Sequence, residues 1–347
     1  MRARRWRVMA GVVAVIATLG LVAACGDDDD DAGASSDTAA APASDLSIGL
    51  VSDTGKFNDR SFNQSALEGL ERAEADFGVQ GTPIESKAAG DYIPNLATLA
   101  RDDADLIIGN GFLMADAMNT AATQFPDINF AIIDFPQPGL KDKPTNVRGL
   151  TFATNENSYL IGYMAAKVVE AQGGKQVISA VGGQEIPTVT IFLAGYEAGA
   201  KAANPDITVL QAYSQDFVQQ AKCKELALDQ IAKGSQVVFQ VAGGCGLGAL
   251  SAAQENDVWG IGVDRDQSDL GPHILTSAVK RVDTAVYDTV VAVQDGTFAG
   301  GGDVTFDLAN EGVAIGTTSP DVSQAILDEV EGLKQQIIDG EITAPTQ

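Results

Sequence analysis

From Leu46 onward the chain repeats one unit: a short aliphatic, β-branched run followed by a longer stretch whose apolar residues recur every three to four positions. The short runs predict strands at Leu46–Val51, Leu106–Gly109, Asn129–Asp134, Val177–Val181, Val209–Tyr213, Val237–Val241 and Val258–Val263. Their near-continuous apolar character fits strands covered on both faces. The longer stretches predict helices at 62–77, 94–103, 115–123, 157–171, 189–203, 217–232, 247–255, 281–294 and 320–338. In the first of these, Phe62, Ala66, Leu67, Leu70, Ala73 and Phe77 fall close to one face. Strand–helix–strand repetition implies parallel sheets with right-handed crossovers. The pattern therefore predicts an α/β protein with two such sheets, one on each side of about residue 153, and a cleft between two lobes.

In parallel α/β sheets, ligands gather at the carboxyl ends of strands. The loops there read Ser52-Asp53-Thr54-Gly55, Gly109-Asn110-Gly111-Phe112, Asp134-Phe135-Pro136, Gly182-Gly183-Gln184, Gly243-Gly244-Cys245-Gly246 and Asp264-Arg265-Asp266-Gln267. Nearly every strand runs into Gly or Asp. Glycine lets backbone approach a ligand, and aspartate supplies acceptors. Both are also common turn formers, so the six together carry more than any one.

The segment before Leu46 has a different pattern. Arg2, Arg4, Arg5 and Arg7 precede a 17-residue apolar run from Val8 to Ala24, which is short for a membrane span of about 20 residues. The run ends Leu21-Val22-Ala23-Ala24-Cys25-Gly26, which resembles the lipobox of bacterial lipoproteins, with Cys25 as the lipidated residue. Residues 1–24 are expected to be removed as a signal peptide, and 25–45 to act as an acidic, unfolded tether. That tether contains the self-repelling run Asp27–Asp31 and no aromatic side chain.

Composition narrows the function. The 347 residues carry 22 Lys+Arg against 47 Asp+Glu, a formal charge of −25. Without residues 1–24 the balance becomes 18 against 47, or −29. This acidity argues against nucleic-acid binding, which depends on neutralising phosphates with basic residues. No G-x-x-x-x-G-K-[ST] is present, so the chain is not the ATPase of a transporter. One histidine, His273, rules out a two-histidine metal site within the chain, and no C-x-x-C or G-x-S-x-G occurs. No cofactor and no metal are expected. Beyond Cys25, Cys223 and Cys245 fall near the carboxyl edge of one sheet. An exported location permits oxidation, so a Cys223–Cys245 disulfide is expected, with two buried thiols as the other reading.

Further motifs resemble a known family. Ile48-Gly49-Leu50-Val51-Ser52-Asp53-Thr54-Gly55, followed by Asn58-Asp59-Arg60-Ser61-Phe62-Asn63-Gln64-Ser65, is similar to the opening signature of the basic membrane protein (BMP) family. These are substrate-binding lipoproteins of ABC importers and include purine nucleoside receptors. Asp91-Tyr92-Ile93-Pro94-Asn95-Leu96, Gly111-Phe112, Phe130–Asp134, Ala242-Gly243-Gly244, Ile261–Gln267 and Ser277–Asp283 follow in order. The resemblance implies a two-lobe type I periplasmic-binding-protein fold with three crossovers. Lobe 1 would comprise 46–153 plus 281–300, and lobe 2 would comprise 154–280 plus about 303–318. The lobe of the C-terminal helix and tail, 319–347, is left open.

The resemblance further implies a binding protein, not an enzyme, that takes purine nucleosides. Phe62 would stack on the purine and Asn63 would bond its polar edge, with Phe217 on the opposite face and Phe192 as its rival. The strand-end carboxylates Asp53, Asp134 and Asp264 can each accept from two adjacent hydroxyls, as a ribose diol offers. Asp53 could equally receive base N–H donors. Lys280 is their natural counter-charge, and Gly243 and Gly244 would bring backbone amides to the ligand. The protein would be a lipid-anchored monomer on the extracytoplasmic face, working with permease and ATPase subunits on other chains. An exported carboxylate-based nucleoside hydrolase, or a receptor of the same fold for another small molecule, are the competing readings.

Overall fold

A computed structural model describes residues 44–347. The signal segment, Cys25 and the tether up to residue 43 lie outside the described residues. The first half runs β1 (Ser47–Thr54), α1 (Phe62–Phe77), β2 (Gln80–Ser86), α2 (Tyr92–Arg101), β3 (Leu106–Asn110), α3 (Ala115–Gln124), β4 (Asn129–Ile133) and β5 (Val147–Phe152). The second half runs α4 (Thr154–Gln172), β6 (Val177–Gly182), α5 (Pro187–Ala203), β7 (Thr208–Tyr213), α6 (Gln220–Ala232), β8 (Val237–Val241), α7 (Gly243–Glu255), β9 (Trp259–Asp264) and β10 (Ile274–Lys280). It is completed by α8 (Val282–Gln294), β11 (Gly302–Phe306), β12 (Val313–Ile315) and α9 (Gln324–Ile338).

The strands form two six-stranded sheets, ordered β11-β5-β4-β3-β1-β2 and β12-β10-β9-β8-β6-β7. The first is wholly parallel, and the second is parallel except where β12 meets β10. The two orders correspond strand for strand. In each sheet the chain winds one way for two strands and then reverses, between β1 and β3 in the first and between β6 and β8 in the second. A reversal opens a crevice at the strands' carboxyl ends, because the flanking loops there turn to opposite faces. Burial follows the sequence: β3 and β8 are buried at every residue and receive helices on both faces.

Three connections join the sheets. β5 passes into α4, β10 into α8, and β11 into β12. α8 returns to the first sheet's side and packs against α1, while α9 packs against α4. The tail follows α9, because Asn155 Nδ2 in α4 donates to the Ala344 carbonyl at 2.7 Å.

The structure corrects several expectations. Residues 303–318 do not belong together: β11 pairs with β5 in the first sheet, and only β12 joins the second. Five strands have no counterpart among those expected from the sequence, namely β2, β5, β10, β11 and β12. β2 is an edge strand with exposed residues and Pro83, which hide its period. β10, with the sequence ILTSAVK, is interrupted by Thr276 and Ser277, both fully buried and hydrogen-bonded. The helix expected from 217 begins at Gln220, because Asp216 accepts from the Val218 and Gln219 amides and holds a turn there.

Candidate functional site

A cavity of about 240 Å³ lies where the two sheets' carboxyl edges face each other. All nine candidate ligand residues, Asp53, Phe62, Asn63, Asp134, Phe217, Gly243, Gly244, Asp264 and Lys280, line it. Phe192 lines it too, but is almost fully buried in α5 with its edge toward Phe239. Phe217 is the more accessible ring from the second lobe.

Each group is placed by its element. Asp53 ends β1 and Gly111 follows β3, so both sit at the first sheet's reversal. Gly183 follows β6 and Gly243 follows β8, so these sit at the second's. Gly111 has φ 140°, and a Cβ there would strike the Asp53 carboxyl. A Cβ on Gly183 would strike the Phe217 ring, so that ring lies against bare backbone. Asp134, just after β4, and Asp264, the last residue of the equivalent strand β9, both adopt left-handed backbone, with φ 70° and 64°. Aspartate tolerates that region better than most residues, and such conformations concentrate at functional sites.

Phe62 is the first residue of α1. The N-terminus of that helix is organised by Asp59, whose carboxylate accepts from the backbone N–H groups of Ser61, Asn63 and Gln64 at 2.8–3.1 Å. Asn63 is buried, and its Oδ1 accepts from Asn110 Nδ2 at 2.9 Å. Phe217 sits in the turn between β7 and α6. Its carbonyl accepts from the Cys245 amide at 3.0 Å, and Cys245, in the first turn of α7, is disulfide-bonded to Cys223 in α6 with Cα atoms 5.6 Å apart. The disulfide thus anchors the loop that carries the ring.

The electrostatics are those of many carboxylates around one buried cation. Lys280 Nζ lies 2.6 Å from Asp134 Oδ2 and 4.7 Å from the Phe62 ring centre. Thr188 Oγ1, at the start of α5, also donates to Asp134 at 3.2 Å. Asp264 accepts from Ser61 Oγ at 2.5 Å. Burial raises the Asp264 carboxyl to about 6, against the opposing pull of Lys280 and Ser61 and with further upward push from Asp59 and Asp134. Asp53 is raised well above the ordinary carboxylate range, first by desolvation, then by Asp134 and Asp59, with Lys280 opposing.

Several bonds tie one lobe to the other. Arg265, just after β9, forms a two-point ion pair with Glu68 on α1, at 2.7 and 3.0 Å. Gln267 Nε2 donates to the Arg60 carbonyl at 2.9 Å, and Arg60 pairs with Asp269. Asp59, Ser61, Asn110 and Thr188 are functional neighbours that the sequence did not single out as individual groups. Asp59 and Ser61 stand inside the motif Asn58–Ser65. Thr188 has no sequence signal, since its role depends on the facing of two lobes.

A family model described as ABC transporter substrate-binding protein PnrA-like (Bmp) matches residues 47–347. The chain belongs to the Bmp family. Over 363 aligned residues it is 36% identical to a Lactococcus lactis protein named ABC transporter nucleoside-binding protein BmpA, covering 98% of this chain and 99% of that one. It is 35% identical over 305 residues to basic membrane protein A1 of Borrelia garinii subsp. bavariensis, covering 86% and 88%. A solved ABC transporter solute-binding protein from Aeropyrum pernix K1 superposes with a TM-score of 0.80 at 26% identity, covering 87% of this chain and 94% of that one. As a Bmp protein the chain is a substrate-binding component of an ABC transporter with the periplasmic-binding-protein fold, and it is not an enzyme. Among the described residues, no helix is long and apolar enough to cross a membrane.

Proposed function

We propose that the chain captures purine nucleosides in this cleft for import and holds them as its lobes close. The observation that carries this reading is the composition of one cavity: Phe62 from α1 and Phe217 from the loop after β7, two of four phenylalanines lining it, share it with strand-end carboxylates from both sheets. A flat apolar base needs the rings, and aromatic stacking contributes roughly 1–3 kcal/mol per base. A ribose diol needs acceptors, and Asp134 and Asp264 offer them beside Lys280, which can donate in return. The name of the Lactococcus relative, a nucleoside-binding protein, supports the same ligand class.

Contacts from both lobes make the ligand favour the closed form, so closure is a population shift set by differential affinity. Residues 46–153 and 281–300 would move as one lobe, joined by β11, against 154–280 with β12. The closed protein would present a surface composed of both lobes to a permease on another chain. Lipidation of Cys25 would hold it to the extracytoplasmic face of the membrane, and one copy would suffice for the site. Calorimetry across a purine and pyrimidine nucleoside panel tests the reading. Micromolar or tighter binding of at least one purine nucleoside, with ribose-free bases weaker, is expected. If no nucleoside binds, and mass spectrometry of extracted ligand finds a different compound, the proposed ligand class is wrong.

A further inference from the structure

Asp53 differs from the other carboxylates of the cavity in having no partner. The hydrogen bonds made by neighbouring donors go to other groups. Lys280 and Thr188 serve Asp134, Ser61 Oγ serves Asp264, and the Ser61, Asn63 and Gln64 amides serve Asp59. The Asn110 amide serves Asn63, and the Tyr92 hydroxyl pairs with Thr54. Among the described residues nothing donates to the Asp53 carboxyl, which lies on the bare backbone of Gly111 and faces the cavity. The charged groups around it are Asp59 from the α1 entry, Asp134 from β4, Asp264 from β9, Lys280 from β10 and Lys56 from its own loop. Lys280 is held at 2.6 Å by Asp134, and Lys56 is exposed. One more negative charge among these carboxylates is unfavourable, and a neutral acid removes it. Burial and the neighbouring carboxylates push Asp53 in that direction.

We propose that Asp53 meets the ligand's base as a neutral carboxyl group, so that nucleoside capture is linked to one proton and selects among purines by their edge. This rests on the nucleoside reading above. A neutral carboxyl carries one donor and one acceptor side by side. It therefore matches a base edge that pairs an acceptor with an N–H donor, as adenine (N1 with the 6-amino group) and hypoxanthine (O6 with N1–H) both do. An ionised carboxylate offers acceptors only, and places them against a ring nitrogen or carbonyl of those bases. Guanine differs, because its N1–H and 2-amino group are two adjacent donors, which a carboxylate can bind without a proton. Inosine and guanosine differ only in that amino group, so the pair isolates the protonation state of Asp53 from stacking and ribose contacts.

The test is calorimetry of inosine, adenosine and guanosine from pH 5 to 9, repeated in buffers of different ionisation heat. For the wild type, inosine and adenosine affinities should be flat at the acid end and then fall by roughly tenfold per pH unit, with about one proton taken up. Guanosine should fall less steeply. Asp53→Asn keeps a donor beside an acceptor and cannot ionise, so, whatever its affinity at pH 5.5, it should lose the alkaline fall. Equal slopes for inosine and guanosine, or an unchanged slope in Asp53→Asn, would overturn the proposal. Carbon-13 NMR titration of the Asp53 carboxyl in the ligand-free and inosine-saturated protein, assigned by comparison with Asp53→Asn, separates this from the ligand question. An Asp53 that stays ionised in the inosine complex at the pH of tightest binding overturns the proposal even though the nucleoside binds. A neutral one upholds the acid even if the ligand proves to be another molecule with such an edge.

Discussion

Lys280 Nζ and Asp134 Oδ2 are 2.6 Å apart, with 3% and 8% of their side chains exposed, and they come from different sheets. Such a pair is weak support for stability by itself, because both charges have left water. Its effect is to make each partner depend on the other. Lys280 is also the only cation within hydrogen-bond reach of a cavity carboxylate among the described residues.

Removing the lysine alone should therefore be costly. Lys280→Met leaves Asp134 buried beside Asp53 and Asp264 with no counter-charge, and stability should fall by about 3–5 kcal/mol. Urea unfolding at pH 7.5 measures this. Adding Asp134→Leu should recover a large part of the loss, and a double mutant as unstable as Lys280→Met would show that the pair is not the cause.

The Cys223–Cys245 bond closes a loop with a sequence separation of 22. Its removal should lower stability by about 3 kcal/mol on the chain-entropy account. A Cys223→Ser/Cys245→Ser variant, compared with wild type in urea, gives the number. Because the Cys245 amide holds the Phe217 carbonyl, ligand affinity should fall as well, in folded protein at low temperature.

Gly183 gives a sharper view of Phe217, since the atoms nearest a methyl group there are all in that ring. Gly183→Ala should weaken nucleoside binding by about 1–3 kcal/mol, the range for one base–aromatic contact, while melting stays near wild type. Unchanged affinity would remove Phe217 from the site and return Phe192 as the second ring.

At the cleft edge, Arg265 and Glu68 join the lobes through two hydrogen bonds while both stay partly exposed. Exposed pairs contribute about 0.2–1 kcal/mol, so Arg265→Ala should weaken ligand binding only a few-fold. The same change should enlarge the ligand-free protein in small-angle X-ray scattering by favouring the open form. High salt should reproduce part of the effect in wild type.

The two-sheet α/β plan was legible because parallel strands buried on both faces are near-continuous apolar runs, as in Leu106–Ile108 and Val237–Phe239. The strand ends were legible because nearly every strand expected from the pattern runs into Gly or Asp. The motif Asn58–Ser65 then added Phe62 and Asn63, which spacing alone cannot separate from a helix core. What remained hidden depends on pairing across distance. β11 is a partly exposed edge strand whose identity comes from β5, more than 150 residues earlier in the chain. Thr188 becomes a donor to Asp134 only because α5 faces β4 across the cleft. By sequence Asp53, Asp134 and Asp264 are all strand-end acceptors, with Asp53 open to base N–H donors as well, whereas their neighbours in the fold give them three different hydrogen-bonding states.

Asp264 yields a stability prediction with a definite sign. Its carboxyl is 6% exposed and lifted to about 6, mainly by burial, from an ordinary value of 3.8. A carboxyl raised on folding favours the folded state fully below its unfolded value. That contribution is lost as pH rises through the folded value, where a charge must be kept in the interior. This group alone should therefore cost about 2–3 kcal/mol of stability between pH 4 and pH 7.5, since each tenfold change in proton affinity on folding is worth roughly 1.4 kcal/mol. Asp264→Asn cannot ionise and keeps an acceptor for Ser61. Relative to wild type it should be more stable at pH 7.5, by an amount reduced by the lost attraction to Lys280, and the difference should vanish near pH 4. Thermal melting of both proteins at half-unit pH steps measures the difference directly. A variant less stable than wild type at pH 7.5, by a margin that does not shrink on acidification, would show that the Lys280 and Ser61 contacts outweigh the desolvation of Asp264.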